Sequence, residues 1–332
     1  MPEVGPVVVI SELTKKYGDF CALDQLSLSL DRGRILGFIG PNGAGKTTTI
    51  KILVGQVRPT SGSASIAGVD CIRDAKKIKR LVGYMPDTFG SYDNMRVYEY
   101  LDFFGAAFGM PRRDRTRRVD EVLEIAGAFG FKDRYVESLS HGMKQRVGIA
   151  RTLLHDPQVI ILDEPANGLD PQARIEMREL LIHLAEMGKT LIVTSHILPE
   201  LARICHDVAI ITHGHLRAFG TLDEIMHRVS ERRLIEVELT NNESLDAAVA
   251  LVREQTDDGS EVVGSATEAI VRFRTSKSPK ELADLLARLV HASIGVCQFR
   301  ELQSDLEDTF LSITRQPKDA VEAWLPRNQH PQ

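Results

Sequence analysis

The stretch GPNGAGKTTT, Gly40–Thr49, decides the fold of this chain. It follows the apolar run ILGFI and leads into the apolar-periodic run IKILVG, which is typical of a loop between a strand and a helix. Gly40, four further residues and then Gly45, Lys46 and Thr47 give the spacing of a phosphate-binding loop, or P-loop. A glycine-rich turn that fits this spacing by chance would not explain the strand before it and the helix after it. The stretch therefore predicts a site for the polyphosphate of a nucleotide.

The positions of this loop have distinct physical roles. Glycine lets the backbone turn without a Cβ clash, so successive N–H groups and the start of the next helix can point at phosphate oxygens. We predict that Lys46 reaches the β- and γ-phosphates, that Thr47 binds the magnesium ion bridging them, and that Thr48 adds a donor. The predicted nucleotide-binding residues of the loop are Gly40, Pro41, Asn42, Gly43, Ala44, Gly45, Lys46, Thr47 and Thr48.

Composition limits the class of protein. With 332 residues, of which 43% are hydrophobic and 26% charged, the chain is typical of a globular protein with room for two domains. Apolar runs such as VVVI and VIIL are far shorter than the roughly 18 residues needed to cross a bilayer, and the start MPEVGP does not resemble a secretory signal. We therefore expect a cytoplasmic protein. The formal net charge of -5 gives no general reason to expect nucleic acid as a partner.

A second motif supplies acidic groups. The apolar run Val159–Leu162 predicts a buried strand, and Asp163 and Glu164 follow it directly. Open α/β sheets bind ligands at this end of their strands, so we predict Asp163 as a magnesium ligand and Glu164 as the residue that orients or deprotonates the attacking water. The alternative is a solvated acidic turn. A further strand, TLIVTSH, ends in His196, which is either structural or a hydrogen-bond donor to the γ-phosphate.

The rest of the chain predicts further elements around this core. Alternating apolar and polar residues before the P-loop indicate an antiparallel β-hairpin, in which Tyr17 either stacks on adenine or is an ordinary strand-end aromatic. Residues 96–155 have helical spacing and predict an inserted helical subdomain. Within it, the basic stretch Arg112–Arg118 adjoins acidic residues, and we interpret it as a solvated helix face rather than a phosphate-binding patch.

Three segments are predicted. Residues 1–225 form the nucleotide-binding domain. Residues 226–315 predict the order strand, helix, two strands, helix and strand, which is typical of a small α+β domain. Residues 316–332 are rich in proline and glutamine, and we expect a flexible tail.

The order of these motifs resembles the nucleotide-binding subunit of ABC transporters. It comprises Tyr17, GPNGAGKTT, LSHGMKQR at Leu139–Arg146, VIILDEP, NGLDP and TSH, and it covers Val8 to about Glu224. The resemblance implies an α/β fold: a P-loop NTPase core of ABC type with an antiparallel β subdomain and the helical subdomain, followed by the C-terminal α+β domain. It also implies ATP and Mg²⁺ as cofactors.

The same resemblance implies a head-to-tail homodimer that holds two ATP molecules between its copies. In that arrangement Ser140 and Gly142 of one copy cap the γ-phosphate bound by the other, and Asp170 in the NGLDP turn crosses to the opposite P-loop.

Two positions depart from the commonest pattern of that family. The signature has SHGMK where many members have SGGQQ, so that His141 replaces a glycine and Met143 a glutamine, which is closer to the exporter branch. Asp87, in YMPD, stands where the family usually has a glutamine that contacts magnesium and couples to the membrane subunit. Asp87 is shorter and charged, so a bridging water would be needed for metal contact.

The resemblance therefore implies an ATP-hydrolysing subunit of an exporter that lies on the cytoplasmic face of the membrane and drives a separate permease. One alternative is an ABC ATPase acting on the ribosome or nucleic acid, and another is an importer subunit. A single nucleotide site, no long coiled-coil insertion and no sustained basic stretch argue against the first. The closing LEDTFLSIT resembles exporter-type accessory domains and argues against the second.

Overall fold

The computed structural model describes residues 5–87, 90, 94–195, 201, 203–225, 233–256 and 262–302. These residues divide into two compact units, of which the first runs to Leu222 and the second begins at Asp223. The predicted tail, residues 316–332, lies outside the described residues. No helix among the described residues is long and apolar enough to cross a bilayer.

The first unit is built on a six-stranded sheet of order β10-β9-β3-β8-β7-β6. All neighbours are parallel except β10, which runs antiparallel to β9. The central strands are buried along their whole length, which explains why they are continuous apolar runs instead of alternating ones. The strands are β3 (Ile35–Ile39), β6 (Val82–Met85), β7 (Val159–Leu162), β8 (Thr190–Ser195), β9 (Asp207–Thr212) and β10 (His215–Gly220).

A second sheet of the first unit has the order β2-β1-β4-β5. Strands β1 and β2 form the predicted antiparallel hairpin, and β4 pairs with β1 on the other side. Leu13, Leu26, Ile50 and Ile161 belong to one hydrophobic cluster and are almost fully buried, each contributing about 1.5–3 kcal/mol to folding. The strands are β1 (Pro6–Tyr17), β2 (Phe20–Asp31), β4 (Ser61–Ile66) and β5 (Val69–Asp70).

Helices complete the first unit. α1 (Lys46–Leu53) follows the P-loop, α2 (Ala75–Leu81) precedes β6, and α6 (Pro171–Glu186) precedes β8. The predicted helical region contains α3 (Val97–Ala107), α4 (Arg112–Ile125) and α5 (His141–Leu153). The observed core, with its parallel sheet, antiparallel sheet and helices, has the predicted α/β fold class.

The basic stretch of α4 is only partly a solvated face. Arg112, Arg113 and Arg117 are exposed, as we expected. Two other arginines hold the helices together, and for them the expectation was wrong. Arg115 Nε lies 2.7 Å from Asp102 Oδ1 on α3. Arg118 Nη2 donates to the carbonyl oxygen of Leu153 at 2.6 Å, which places a cation at the C-terminal end of α5, where the helix dipole favours it.

The second unit is a four-stranded antiparallel sheet of order β12-β13-β11-β14 with two helices. Its elements follow the predicted order. They are β11 (Arg233–Leu239), α7 (Leu245–Gln255), β12 (Val262–Ser265), β13 (Ile270–Thr275), α8 (Pro279–His291) and β14 (Val296–Leu302). α8 begins at a capping box, in which Ser278 and Glu281 bond each other's backbone N–H groups.

One buried charge marks the middle of this second sheet. Glu236 is 1% exposed and accepts hydrogen bonds from its two cross-strand partners, Arg272 at 2.7 Å and Arg300 at 2.6 Å. Burial alone raises the pKa of this carboxyl, but the hydrogen bonds from the two arginines outweigh it and hold the pKa below its ordinary value.

Candidate nucleotide-binding site

The loop between β3 and α1 lines a cleft of about 300 Å³. Residues Pro41–Thr48 line it together with Asp87, Asp163 and Glu164. Parallel strands end at one edge of a sheet, so the residues after β3 and β7 meet there although they are far apart in sequence. The structure thus brings together the P-loop and the predicted acidic residues.

Gly45 shows why this loop needs glycine. Its φ of 110° lies in the left-handed region, and it forms the cap at the start of α1. A Cβ on Gly45 would stand 2.8 Å from the carbonyl oxygen of Ala22 and 2.7 Å from the side chain of Leu23. Any other residue would be both strained and obstructed by backbone, so the turn into α1 depends on this glycine.

Lys46 is buried at the floor of the cleft. Its Nζ donates to the carbonyl oxygen of Gly40 at 2.5 Å and lies 3.8 Å from Glu164 Oε1. Burial lowers the pKa of Lys46 below its ordinary value, while the carboxylates of Glu164 and Asp163 oppose that shift. The ammonium group is therefore held inside the loop by oxygen atoms of Gly40 and Glu164, and a phosphate oxygen could take their place.

Asp163 is also buried, with 5% of its surface exposed. Its Oδ1 accepts a hydrogen bond from the Thr194 hydroxyl at 2.7 Å, and the backbone N–H of Glu164 donates to the same hydroxyl oxygen at 2.9 Å. Burial raises the pKa of Asp163, and the hydrogen bond from Thr194 only partly offsets this. Thr194 at the end of β8 thus orients both acidic residues.

Glu164 has an unusual backbone. Its φ of 53° is positive, which is uncommon outside glycine and which folded proteins tend to retain at functional sites. The backbone is held by the Thr194 contact and by a turn in which the N–H of Asn167 donates to the carbonyl oxygen of Glu164 at 3.1 Å. Its side chain is 14% exposed beside Lys46. The carboxylate is therefore presented at the cleft by a constrained turn.

Asp87 lies at the same cleft, close enough for its charge to act on neighbouring groups. Burial and the carboxylates of Asp163 and Asp87 raise the pKa of Tyr84 to about 12. Three carboxylates, those of Asp87, Asp163 and Glu164, thus line the same cleft as the buried ammonium group of Lys46. Oxygen ligands of this kind, with the hydroxyl of Thr47, fit Mg²⁺, which takes one or two protein ligands and completes its shell with phosphate and water.

Gly40 and Tyr17 are not among the residues that line this cleft, and neither are the three residues predicted to act across a dimer: Ser140, Gly142 and Asp170. The structure shows local contacts for two of them. Ser140 caps α5 by accepting from the N–H of Met143 at 3.3 Å, and Asp170 caps α6 by accepting from the N–H of Ala173 at 2.9 Å. Their predicted roles across a dimer stay predictions.

Two aromatic residues stand at the turn between β1 and β2. Tyr17 is 48% exposed, with Lys15 Nζ 4.7 Å from its ring centroid, and it is not among the residues that line the cleft. Its strand partner Phe20, which is 64% exposed, does line it. The adenine-stacking role of Tyr17 stays a prediction.

The sequence analysis did not identify Thr194 and Phe20. Thr194 lies in the apolar strand TLIVTS, where a threonine is ordinary, and Phe20 is the first residue of β2, directly after a turn. His196, the other residue predicted for this edge, lies outside the described residues.

Comparisons with known proteins show that the chain is similar to ATP-binding proteins, which agrees with a nucleotide-binding cleft. The family model described as ABC transporter matches residues 23–167. Nod factor export ATP-binding protein I of Ralstonia nicotianae is 32% identical over 317 residues, which cover 94% of this chain and 96% of that protein. Bacitracin transport ATP-binding protein BcrA of Bacillus licheniformis is 35% identical over 308 residues, which cover 92% of this chain and 97% of that protein.

A solved structure described as the ATP binding subunit of an ABC transporter has a TM-score of 0.61 and 31% identity, and it covers 67% of this chain and 92% of that one. The predicted resemblance is confirmed. Subunits of this family bind ATP and work with membrane permeases. This chain belongs to the ABC transporter family, as an ATP-binding and ATP-hydrolysing subunit of the exporter type.

Proposed function

We propose that two copies of this chain close head to tail around two ATP molecules and thereby drive a separate membrane permease. The observation that carries this proposal is an incomplete site. Lys46, Asp163 and Glu164 line one cleft, whereas Ser140 and Gly142 of the signature lie outside it. A second copy can supply them at the open side of the cleft, where the γ-phosphate would project.

The start of α5 suits that role. Ser140 and His141 are exposed there, and a helix N-terminus attracts negative charge. A triphosphate held by Lys46 in one copy would therefore also be attracted to α5 of the other. ATP would then bridge the P-loop cleft of one copy and the start of α5 of the other.

Hydrolysis would rely on the constrained acidic residues. Glu164, held by its turn and by Thr194, would orient and deprotonate the attacking water. Lys46 would exchange the carbonyl oxygen of Gly40 for phosphate oxygens and stabilise the charge that develops on them. His196 is proposed as a further hydrogen-bond donor.

Magnesium is proposed as the accompanying metal, with Thr47 and Asp163 as the residues that would hold it and Asp87 placed for contact through water. When bound, it would neutralise charge on the β- and γ-phosphate oxygens. Tyr17 is proposed to stack on the adenine ring, and Asp170 to contact the opposite P-loop.

The exporter direction is supported by relatives named for Nod factor export and bacitracin transport. We propose that the chain binds peripherally to the cytoplasmic face of the membrane through its permease. Residues 1–225 would form the motor, with residues 226–315 as an accessory domain.

The dimer can be tested with Glu164→Gln. This variant keeps a side chain of the same size but cannot accept the proton from water. We expect it to bind ATP, to lose nearly all turnover, and to elute as a dimer with Mg²⁺ and ATP but as a monomer with ADP. A Glu164→Gln protein that stays monomeric with saturating ATP and Mg²⁺, both in solution and beside its permease, would contradict the proposal.

The partner can be tested by purifying the tagged chain from gently solubilised membranes. We expect an integral membrane protein to accompany it in stoichiometric amount. Ribosomes or nucleic acid in its place would instead support the alternative function.

A further inference from the structure

His141 is the residue at which the signature of this chain departs from the commoner glycine. Its Nε2 lies 2.9 Å from the carbonyl oxygen of Asn167. A carbonyl oxygen can only accept a hydrogen bond, so this contact requires the proton on Nε2. The side-chain amide nitrogen of Gln145, one turn further along α5, lies 3.3 Å from the same nitrogen and cannot donate to it while that nitrogen carries the proton.

The ring also packs against the residue that follows Asn167. A Cβ placed on Gly168, whose φ is 70°, would stand 3.6 Å from both Cδ2 and Nε2 of His141. Next to it, Gly142 faces Leu169 and Ala173, at 3.5 and 3.6 Å from its own hypothetical Cβ. The start of α5 therefore lies beside the turn at Asn167–Leu169, and the hydrogen bond from His141 joins the two.

That turn carries two residues of the proposed site. At one end is Glu164, whose carbonyl oxygen accepts from the N–H of Asn167 at 3.1 Å. At the other end is Asp170, the cap of α6. The hydroxyl of Thr194 binds the turn at the N–H of Glu164, the cap binds it at Asp170, and His141 binds its middle at the carbonyl oxygen of Asn167.

We infer that His141 is a positioning residue, which fixes the turn of Glu164 and Asp170 to the signature helix of the same copy by donating from Nε2 to the carbonyl oxygen of Asn167. This inference rests on the proposed function, since it assumes that Glu164 and Asp170 act in ATP hydrolysis. With glycine at position 141, the hydrogen bond to the carbonyl oxygen of Asn167 would be lost.

As a consequence, the signature helix α5 and the turn between Glu164 and Asp170, both of which would face a second copy, move together. The signature helix would meet the nucleotide of the partner, and the turn carries the water-orienting Glu164 of its own site. Loosening the middle of the turn would misplace Glu164 relative to a bound nucleotide, whereas His141 does not line the cleft that the P-loop forms. We therefore expect an effect on turnover and not on nucleotide affinity.

The test compares His141→Met with His141→Gln. Glutamine places an N–H at about the same reach from Cβ as histidine Nε2, whereas methionine has similar length and no donor. Because His141→Met removes one hydrogen bond, we expect its kcat to fall about tenfold. The kcat of His141→Gln should stay within about threefold of the wild-type value. The dissociation constant for ADP should be unchanged in both variants, because His141 does not line the nucleotide cleft. His183→Met, at an exposed histidine on α6 whose ion-pair partner is Glu186, is the matched control.

Three outcomes would overturn the inference: wild-type kcat in His141→Met, equal loss of kcat in the Met and Gln variants, or a loss of kcat accompanied by weaker ADP binding. A failure of the proposed function has a different signature, because it would appear as a monomeric Glu164→Gln protein in the presence of ATP. The two results can therefore be told apart.

Discussion

The hydroxyl of Thr194 donates to Oδ1 of Asp163 across 2.7 Å, and it accepts from the N–H of Glu164 at 2.9 Å. We predict that Thr194→Val leaves both acidic residues without this partner in a buried position, which costs about 2 kcal/mol of unfolding free energy. ATPase activity should fall with it. Urea denaturation and steady-state ATPase assays measure both effects. Thr194→Ser keeps the hydroxyl and should retain most of the stability, so equal losses in Val and Ser would contradict the prediction.

Asp163 is expected to weaken the fold in the absence of metal. Its pKa is raised above the ordinary value of 3.8 because burial disfavours the charged form. The folded state therefore binds this proton more tightly than the unfolded state, and stability decreases as pH rises from 3.8 through the raised pKa.

We predict that Asp163→Asn, which still accepts from Thr194, is more stable than wild type at neutral pH without Mg²⁺ by about 1 kcal/mol. The variant should gain no further stability from Mg²⁺ and ATP, unlike wild type. Thermal unfolding with and without both ligands measures this. Asp133→Asn, at an exposed position away from the cleft, is the control. A lower Tm for Asp163→Asn without ligands would refute the prediction.

Lys46→Ala should abolish tight binding of ATP. The ammonium group is buried at the floor of the cleft, and hydrogen bonds from a charged donor contribute about 1.5–3 kcal/mol each, or roughly 10- to 100-fold in affinity. Direct calorimetric titration measures the change. Lys51→Ala, an exposed lysine on the same helix, should bind ATP as wild type does. Retained affinity in Lys46→Ala would contradict the P-loop assignment.

Tyr17 and Phe20 offer two candidate rings for the adenine base. We predict that Tyr17→Ala weakens ATP binding by about 1–3 kcal/mol, the range for loss of a base stack, and that Phe20→Ala has the smaller effect. Titration of each variant with ATP and with inorganic triphosphate, which has no base, measures the difference. The opposite ranking would assign the stack to Phe20, the ring that lines the cleft.

Glu236 should make the second unit sensitive to acid. Its pKa is lowered, so it stabilises the fold above the ordinary value of 4.5, and this contribution is lost as pH falls through the lowered pKa. In Glu236→Gln the two arginines lose their carboxylate; because both are about half exposed, we expect a cost of about 1–3 kcal/mol at neutral pH. Hydrogen exchange of the backbone amides of β11, followed as a function of pH in wild type and Glu236→Gln, measures this loss of stability. Unchanged protection at pH 7 would disprove the ion-pair account.

The sequence by itself determined the P-loop, the acidic pair Asp163 and Glu164, and the order of strands and helices in the second unit. These depend on local spacing: apolar periodicity sets each element, and glycine positions set the turn into α1. The tertiary structure decided which distant residues meet. Thr194, Phe20 and the contact between His141 and Asn167 reach the site only because the strands end at one sheet edge and α5 packs against the turn after β7. Arg115 and Arg118 likewise gained partners on neighbouring helices. A hydrogen bond between residues far apart in the chain follows from packing, which leaves no local pattern in the sequence.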